Sequence, residues 1–482
     1  MTDKTENRRR ALRALPSVDA LLRTSVARSL RETLGAEQLA DLARNVTREL
    51  RARLQTDGSE EEHQNGDYTR EGLLAEAARM LERASAAQET AGRLRRVVNA
   101  SGVILHTNLG RAPLSEAARQ RVAIDAGGYC TLEYDALTGR RGARGARVEQ
   151  LLRDLTGAEA ALVVNNCAAA ALLVLTTLAR GGETIISRGE LVEIGGDFRV
   201  PDVMAHSGTR LVEVGTTNRT RLADYERAIG EQTRLVVRVH TSNYRIVGFT
   251  ATPSLAELAG LAHAAQLMLY EDAGSGALFD LSSYGLEGEP VISESIRSGA
   301  DVVSFSGDKL LGAGQAGLVV GRRSVIEALR KHPLYRALRA DKLALAALEA
   351  TLEAHRRGAS FKEVPALRML ALTHAEIEGR ARSLLSRLSE RRGHADAASL
   401  RYEVISGESV IGGGSAPTAH PRTALIALTH EKMSADALEE ALRQGTPPVV
   451  ARILEDKVML DLRTVAEDEE ALLLDALAAV PD

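Results

Sequence analysis

A chain of 482 residues with 44 % apolar side chains can bury several cores, and its length predicts two to four domains. Two cysteines are too few for a disulfide framework or a thiolate zinc site, and no apolar run approaches the ~20 residues of a membrane span. The net charge of −4 is uneven: residues 1–55 hold twelve Lys/Arg against seven Asp/Glu, so a start of +5 precedes a body of −9.

A basic piece on an acidic body points to an anionic partner. The opening "MTDKTENRRR" lacks the apolar stretch of a secretory signal, so the expected location is cytoplasmic. The eleven histidines show no HExxH or Cys/His ligand spacing, which argues against a metal hydrolase.

In chain order, Leu15, Val18, Leu21 and Leu22 fall on one helical stripe, with Pro16 and Ser17 suited to the helix start. "TDGSEEEHQNGD", from Thr56 to Asp67, has no periodicity and reads as a linker, and Thr69 to Arg96 is helical again. From Val97 onward, short β-branched runs alternate with Ala-rich helical segments. The strand candidates are "AALVVN", "ETIIS", "TRLVEVG", "TRLVVRVH", "QLMLYED", "ADVVSFS" and "AGLVVG". Such alternation predicts an α/β domain with a mainly parallel sheet. Past Leu343 come a long helical stretch, two strands, a helix near "SADALEEALRQG" and further strand character, which together predict a small α+β domain.

"SFSGDKLLGAGQAGLVVG" (Ser304–Gly321) contains both a Gly-x-Gly-x-x-Gly match and Lys309. A dinucleotide fingerprint needs its glycines between a strand and a helix, where the pyrophosphate meets the helix N-terminus. Here they lie between Lys309 and another strand, so they predict a hairpin turn and no dinucleotide. Lys309 instead sits past the end of a strand, the edge where open α/β sheets bind ligands, and its amine suits Schiff-base chemistry.

Three other segments fit the same chemistry. Asp272 ends the strand "QLMLYED" and can serve as the carboxylate beside a pyridinium nitrogen. Asn165, Asn166 and Cys167 join a strand to a helix, the geometry of a phosphate site. His240, Ser242 and Asn243 follow another strand and suit contacts to a cofactor ring. Phosphate anchor, ring contact, pyridinium partner and lysine occur in the order of fold-type I pyridoxal phosphate (PLP) enzymes.

"NASGVILHTNLGRAPL", "NNCAAAALL", "SRGELVEIGGDFRVPDVM", "VGTTNRT", "HTSNYRIVGF", "EDAGSG" and "SFSGDKLLGAGQAG" resemble the bacterial selenocysteine synthase family, the L-seryl-tRNA(Sec) selenium transferases. So do "LPSVDALL", "PPVVARI" and "LDLRT", and the resemblance spans essentially the whole chain. Cys167 departs from it, standing where a third asparagine is expected. The resemblance implies an aspartate aminotransferase-like, fold-type I transferase: helical tRNA-binding domain 1–56, linker and helix 57–96, PLP-binding α/β domain 97–345 and small α+β domain 346–482.

It also implies a cytoplasmic homodecamer that converts seryl-tRNA(Sec) to selenocysteinyl-tRNA(Sec) with selenophosphate, through a PLP-bound dehydroalanyl (aminoacrylyl) intermediate. Lys309 would be the catalytic lysine, with Asp308 or Lys309 protonating the leaving hydroxyl. Asp272, Asn165, Asn166, Cys167, Ser242, Asn243 and Ser306 would hold the cofactor, and Arg111, Arg336 and Arg339 the selenophosphate. Arg336 and Arg339 are three apart and share a face if that stretch is helical. Two alternatives remain open: a PLP ammonia-lyase acting on a phosphorylated amino sugar, and an inactive tRNA-binding scaffold. The N-terminal extension favours tRNA over the first, and the presence of Lys309 and Asp272 disfavours the second.

Overall fold

The computed structural model describes residues 12–55, 69–90, 93–195, 198–393, 399–412 and 414–481. The chain divides into two units, Met1–Arg96 and Val97–Asp482. The linker expected at Thr56 to Asp67 lies outside the described residues.

In the first unit the expected helix begins where Ser17 accepts the Ala20 N–H, giving α1 (Val18–Leu22). It stops sooner than the apolar stripe suggests. Thr24 accepts the Ala27 N–H and starts α2 (Ser25–Leu34), because a hydroxyl that caps one helix competes with continuation of the previous one. On α3 (Ala36–Gln55), Leu39, Ala43, Val46 and Leu50 are spaced four, three and four apart, so they form one buried stripe. They pack with Leu21 and Ala27, and with Ala77 and Leu81 of α4 (Arg70–Thr90), in a core of their own.

The second unit is built on seven strands, one for each run expected from the sequence. These are β1 (Ala160–Val164), β2 (Glu183–Ser187), β3 (Arg210–Val214), β4 (Thr233–Val239), β5 (Met268–Gly274), β6 (Val302–Ser306) and β7 (Gly317–Gly321). Their order across the sheet is β1-β7-β6-β5-β4-β2-β3. Every pair is parallel except those that β7 makes with β6 and β1. β1, β6 and β7 are buried at every position, as strands covered on both faces must be. Helix α5 (Cys167–Ala179) covers one face, its Ala170, Leu173 and Val174 packing among Leu162, Val237 and Tyr270. Val148, Leu151, Phe305 and Leu318 pack on the other.

Beyond the sheet, α6 (Pro333–Ala337), α7 (Lys342–Arg356) and α8 (His374–Arg392) lead into a small antiparallel sheet. It contains β8 (Leu400–Glu408), β9 (Arg422–His430), β10 (Arg452–Leu454) and β11 (Lys457–Asp461), in the order β8-β9-β11-β10. Val98 and Asn99 pair with Val449 and Val450, and Val98 and Ala100 enter the core beneath α8. The "LDLRT" segment has a structural use here. Arg463 is 1 % exposed, and its guanidinium donates to Ser409 Oγ and to the Met369, Leu372 and Arg422 carbonyls at 2.7–2.9 Å. A buried guanidinium is tolerated when its donors are met in this way. Among the described residues no helix is long and apolar enough to cross a membrane.

Candidate active site

The antiparallel pairing of β6 with β7 makes residues 307–316 the turn of a hairpin, as the glycine pattern predicts. Gly307 N–H donates to the Ala316 carbonyl (2.9 Å), Ala313 N–H to Gly307 (2.8 Å) and Gly312 N–H to Lys309 (2.9 Å). Gly312 is left-handed at φ 76°, and a Cβ on it would stand 2.1 Å from Val364 Cγ1. This tight turn holds Lys309 at 4 % exposure. The lysine Nζ lies 3.8 Å from where a Cβ on Gly414 would stand, and Ser242 Oγ lies 3.7 Å from the same point. The lysine, the segment after β4 and a loop of the small sheet therefore meet.

Asp272, near the end of β5, faces the start of α5. Its Oδ1 accepts from Cys167 Sγ at 3.5 Å and from the Gly274 N–H at 3.3 Å. Cys167 Sγ is 3.8 Å from Ser304 Oγ, which in turn is 2.7 Å from Tyr270 Oη. Burial pushes the Asp272 carboxyl above its ordinary range, against the pull of Lys309 and the Cys167 and Ser304 hydrogen bonds. Burial, reinforced by Asp272, also pushes the Cys167 thiol up. Asn166 caps α5, its side chain accepting the Ala169 N–H at 2.8 Å, while the Asn165 N–H donates to the Leu338 carbonyl. Ser306 is buried at the end of β6, and the exposed Asn243 donates its amide to the Glu193 carbonyl (2.6 Å).

The three arginines are differently placed. Arg111, with φ 62°, donates to Asp308 Oδ2 at 2.7 Å, beside the lysine. Arg336 is exposed in α6. Arg339 does not share a helical face with it: α6 ends at Ala337, and Arg339 forms a β-bridge with Val164, next to Asn165. Its Nη1 is 3.5 Å from Glu133 Oε1, and its guanidinium carbon is 5.7 Å from the Tyr335 ring centroid. Nε of Arg111 and Nε of Arg339 are both buried with no hydrogen-bond acceptor.

A family model described as L-seryl-tRNA selenium transferase matches residues 97–466. The chain belongs to that family. A second model, selenocysteine synthase N terminal, matches residues 12–51. An L-seryl-tRNA(Sec) selenium transferase of Geobacter sulfurreducens is 50 % identical over 81 % of this chain and 84 % of that one. One from Hyphomonas neptunium is 45 % identical over 97 % and 98 %. Among solved structures, a D-glucosaminate-6-phosphate ammonia-lyase matches 82 % of this chain and 97 % of its own, with a TM-score of 0.55 and 24 % identity. That likeness shows the shared fold, a mainly parallel sheet of the fold-type I PLP class.

Pyridoxal phosphate is the cofactor of the selenium transferase family, and the residues present fit it. A buried amine, a carboxylate whose burial calls for a cationic neighbour, and a helix N-terminus following a strand lie at one end of the sheet. Sequence reasoning missed a second group of this unit's residues. Glu190 is 5 % exposed, with Arg238 Nε 3.2 Å from its Oε1 and the Val239 N–H bonded to its Oε2. Burial raises its carboxyl to about 7 despite Arg238. Glu289 accepts from Ser275 Oγ (2.5 Å) and the Ala416 N–H (2.7 Å), tying the Gly414 loop to the turn after β5. The family-like run "SRGELVEIGG" was the available signal for Glu190; nothing local marks Glu289.

Proposed function

We propose that this chain converts L-seryl-tRNA(Sec) to L-selenocysteinyl-tRNA(Sec), with selenophosphate as the selenium donor. The observation that carries it is the buried Lys309 facing the Asp272–Cys167 end of the sheet, in a chain matched by the transferase model over residues 97–466. When bound, pyridoxal phosphate supplies an electron sink that makes the serine Cα proton labile and the β-hydroxyl expellable.

The chain's own residues do the rest. Lys309 would hold the cofactor and Asp272 would serve its ring nitrogen, while Cys167 and Ser304 orient that carboxylate. Asn165 and Asn166, with Cys167 at the start of α5, would hold its phosphate. Ser306, Ser242 and Asn243 would help to hold the ring. Lys309 and Asp308 are the groups able to carry a proton to the leaving hydroxyl. Arg111, Arg336 and Arg339 bind the selenophosphate; the acceptor-less Nε atoms of Arg111 and Arg339 support that role.

Residues 1–56 form the tRNA-binding domain, joined through 57–96 to the cofactor domain 97–345 and the small domain 346–482. The twelve Lys/Arg in residues 1–55 suit phosphate contacts. The protein assembles as a homo-oligomer, a decamer by family resemblance, and the exposed Tyr129, Leu137 and Phe249 are apolar surfaces that assembly would cover.

Replacing Lys309 with Ala tests the assignment. The expected result is loss of the cofactor's visible band together with loss of selenocysteinyl-tRNA(Sec) formation from selenophosphate. Unchanged product formation by the variant would refute it.

A further inference from the structure

A cavity of about 500 Å³ opens at the C-terminal ends of β2 and β4. Glu271 lines it, and since successive strand residues point to opposite faces, it lies across the sheet from Asp272. The inner wall is charged. Glu190 is already engaged by Arg238 and the Val239 N–H. Glu271 is 6 % exposed and hydrogen-bonded to Ser295, and its Oε2 has no hydrogen-bond partner. At the mouth, Arg219 and Arg245 are exposed and make no ion pair among the described residues.

The cavity is a neighbour of the lysine. His240 and Thr241 line it, and the next residue, Ser242, reaches the same Gly414 position as Lys309 Nζ. Glu289, also in the wall, holds the loop that carries Gly414 through Ala416.

We propose that this cavity holds the 3′-terminal nucleotide of the aminoacylated RNA substrate. The inference rests on the function proposed above and names where that substrate's end is held. Pockets for small ligands run from about 300 to 1,000 Å³, so the volume admits one nucleotide. The buried Glu271 Oε2, which has no donor, asks for one, and the base's exocyclic amine or a ribose hydroxyl provides it. The arginines at the mouth make no ion pair, although Arg245 Nη1 donates to Thr418 Oγ1 (3.4 Å), and they ask for an anion, which the nucleotide's phosphate provides. A bare oxyanion would meet the acidic inner wall, and a simple cation would meet the arginines. A nucleotide satisfies both ends, and the wall residues His240 and Thr241 run directly into Ser242, which shares the Gly414 position with Lys309 Nζ.

The test uses the full-length, cofactor-loaded protein and adenosine 5′-monophosphate as probe. Calorimetric titration should find one site per chain. Arg219→Ala, an exposed substitution that leaves the core intact, should weaken binding about tenfold, the worth of one charge-assisted contact. Glu271→Gln should weaken it with the cofactor's band retained. With seryl-tRNA(Sec), Arg219→Ala should raise KM more than it lowers kcat. The proposal is overturned if the wild type takes up no probe at millimolar concentration, or if Arg219→Ala and Arg245→Ala both bind it like the wild type. Variants that convert seryl-tRNA(Sec) with an unchanged KM would overturn this inference alone. A wild type that never converts that substrate would overturn the proposed function.

Discussion

Cys167 stands 3.5 Å from Asp272 Oδ1, in the position where the family pattern leads one to expect asparagine. Either side chain can donate to a carboxylate, so the substitution keeps a hydrogen bond at Asp272 and changes its strength. Burial and the facing aspartate raise the thiol's pKa, so at any pH below it the reactive thiolate is scarcer than in a free cysteine. Cys130, the other cysteine, is exposed. Maleimide at pH 8 should therefore leave Cys167 unlabelled in the native protein and reach it only after denaturation. Two fast thiols in the native protein would contradict the geometry at Asp272.

Helix α5 depends on its neighbours for its start. The Asn166 cap is placed by β1, and β7 runs against β1 with Gly317 opposite Val164. A Cβ on Gly317 would stand 2.0 Å from the Asn166 carbonyl oxygen and 2.9 Å from Val164 Cγ2. Backbone cannot yield as a flexible side chain does, so the strand pair must part. Gly317→Ala should cost about 1–3 kcal/mol, the usual range for overpacking, and should show as a lower thermal transition. It should also weaken cofactor binding, because the start of α5 moves with Asn166. A variant as stable as the wild type, with unchanged cofactor affinity, would show that α5 is set independently of the hairpin.

Each of the two units of the molecule has its own core: Leu21, Leu39 and Leu50 in the first, the faces of the seven-stranded sheet in the second. If residues 1–96 serve tRNA alone, a chain beginning at Val97 should keep the cofactor's visible band and lose affinity for seryl-tRNA(Sec). Phosphate contacts imply a steep fall of the intact protein's affinity with salt, a slope that the shortened chain should lack. An unchanged affinity after truncation would place tRNA recognition in the second unit.

The strands and the hairpin were legible locally, because alternating β-branched runs and glycine-bounded turns follow from backbone sterics within a few residues. The amino-acid sequence by itself determined the seven strands of the large sheet, the turn carrying Lys309, the basic start of the chain and, through its long motifs, the family. Only the tertiary structure decided which side chains meet. Asp272 and Cys167 touch across 105 positions, Arg111 and Asp308 across 197, and the Gly414 loop reaches Lys309 from the small sheet. Arg339 left the expected helical face because pairing with Val164 outcompeted another turn of α6. Such meetings depend on strand order and on packing between distant segments, which local periodicity does not encode. The cavity lined by Glu190, Glu271 and Glu289 exists for the same reason: its walls come from separate elements joined only when the sheet is assembled.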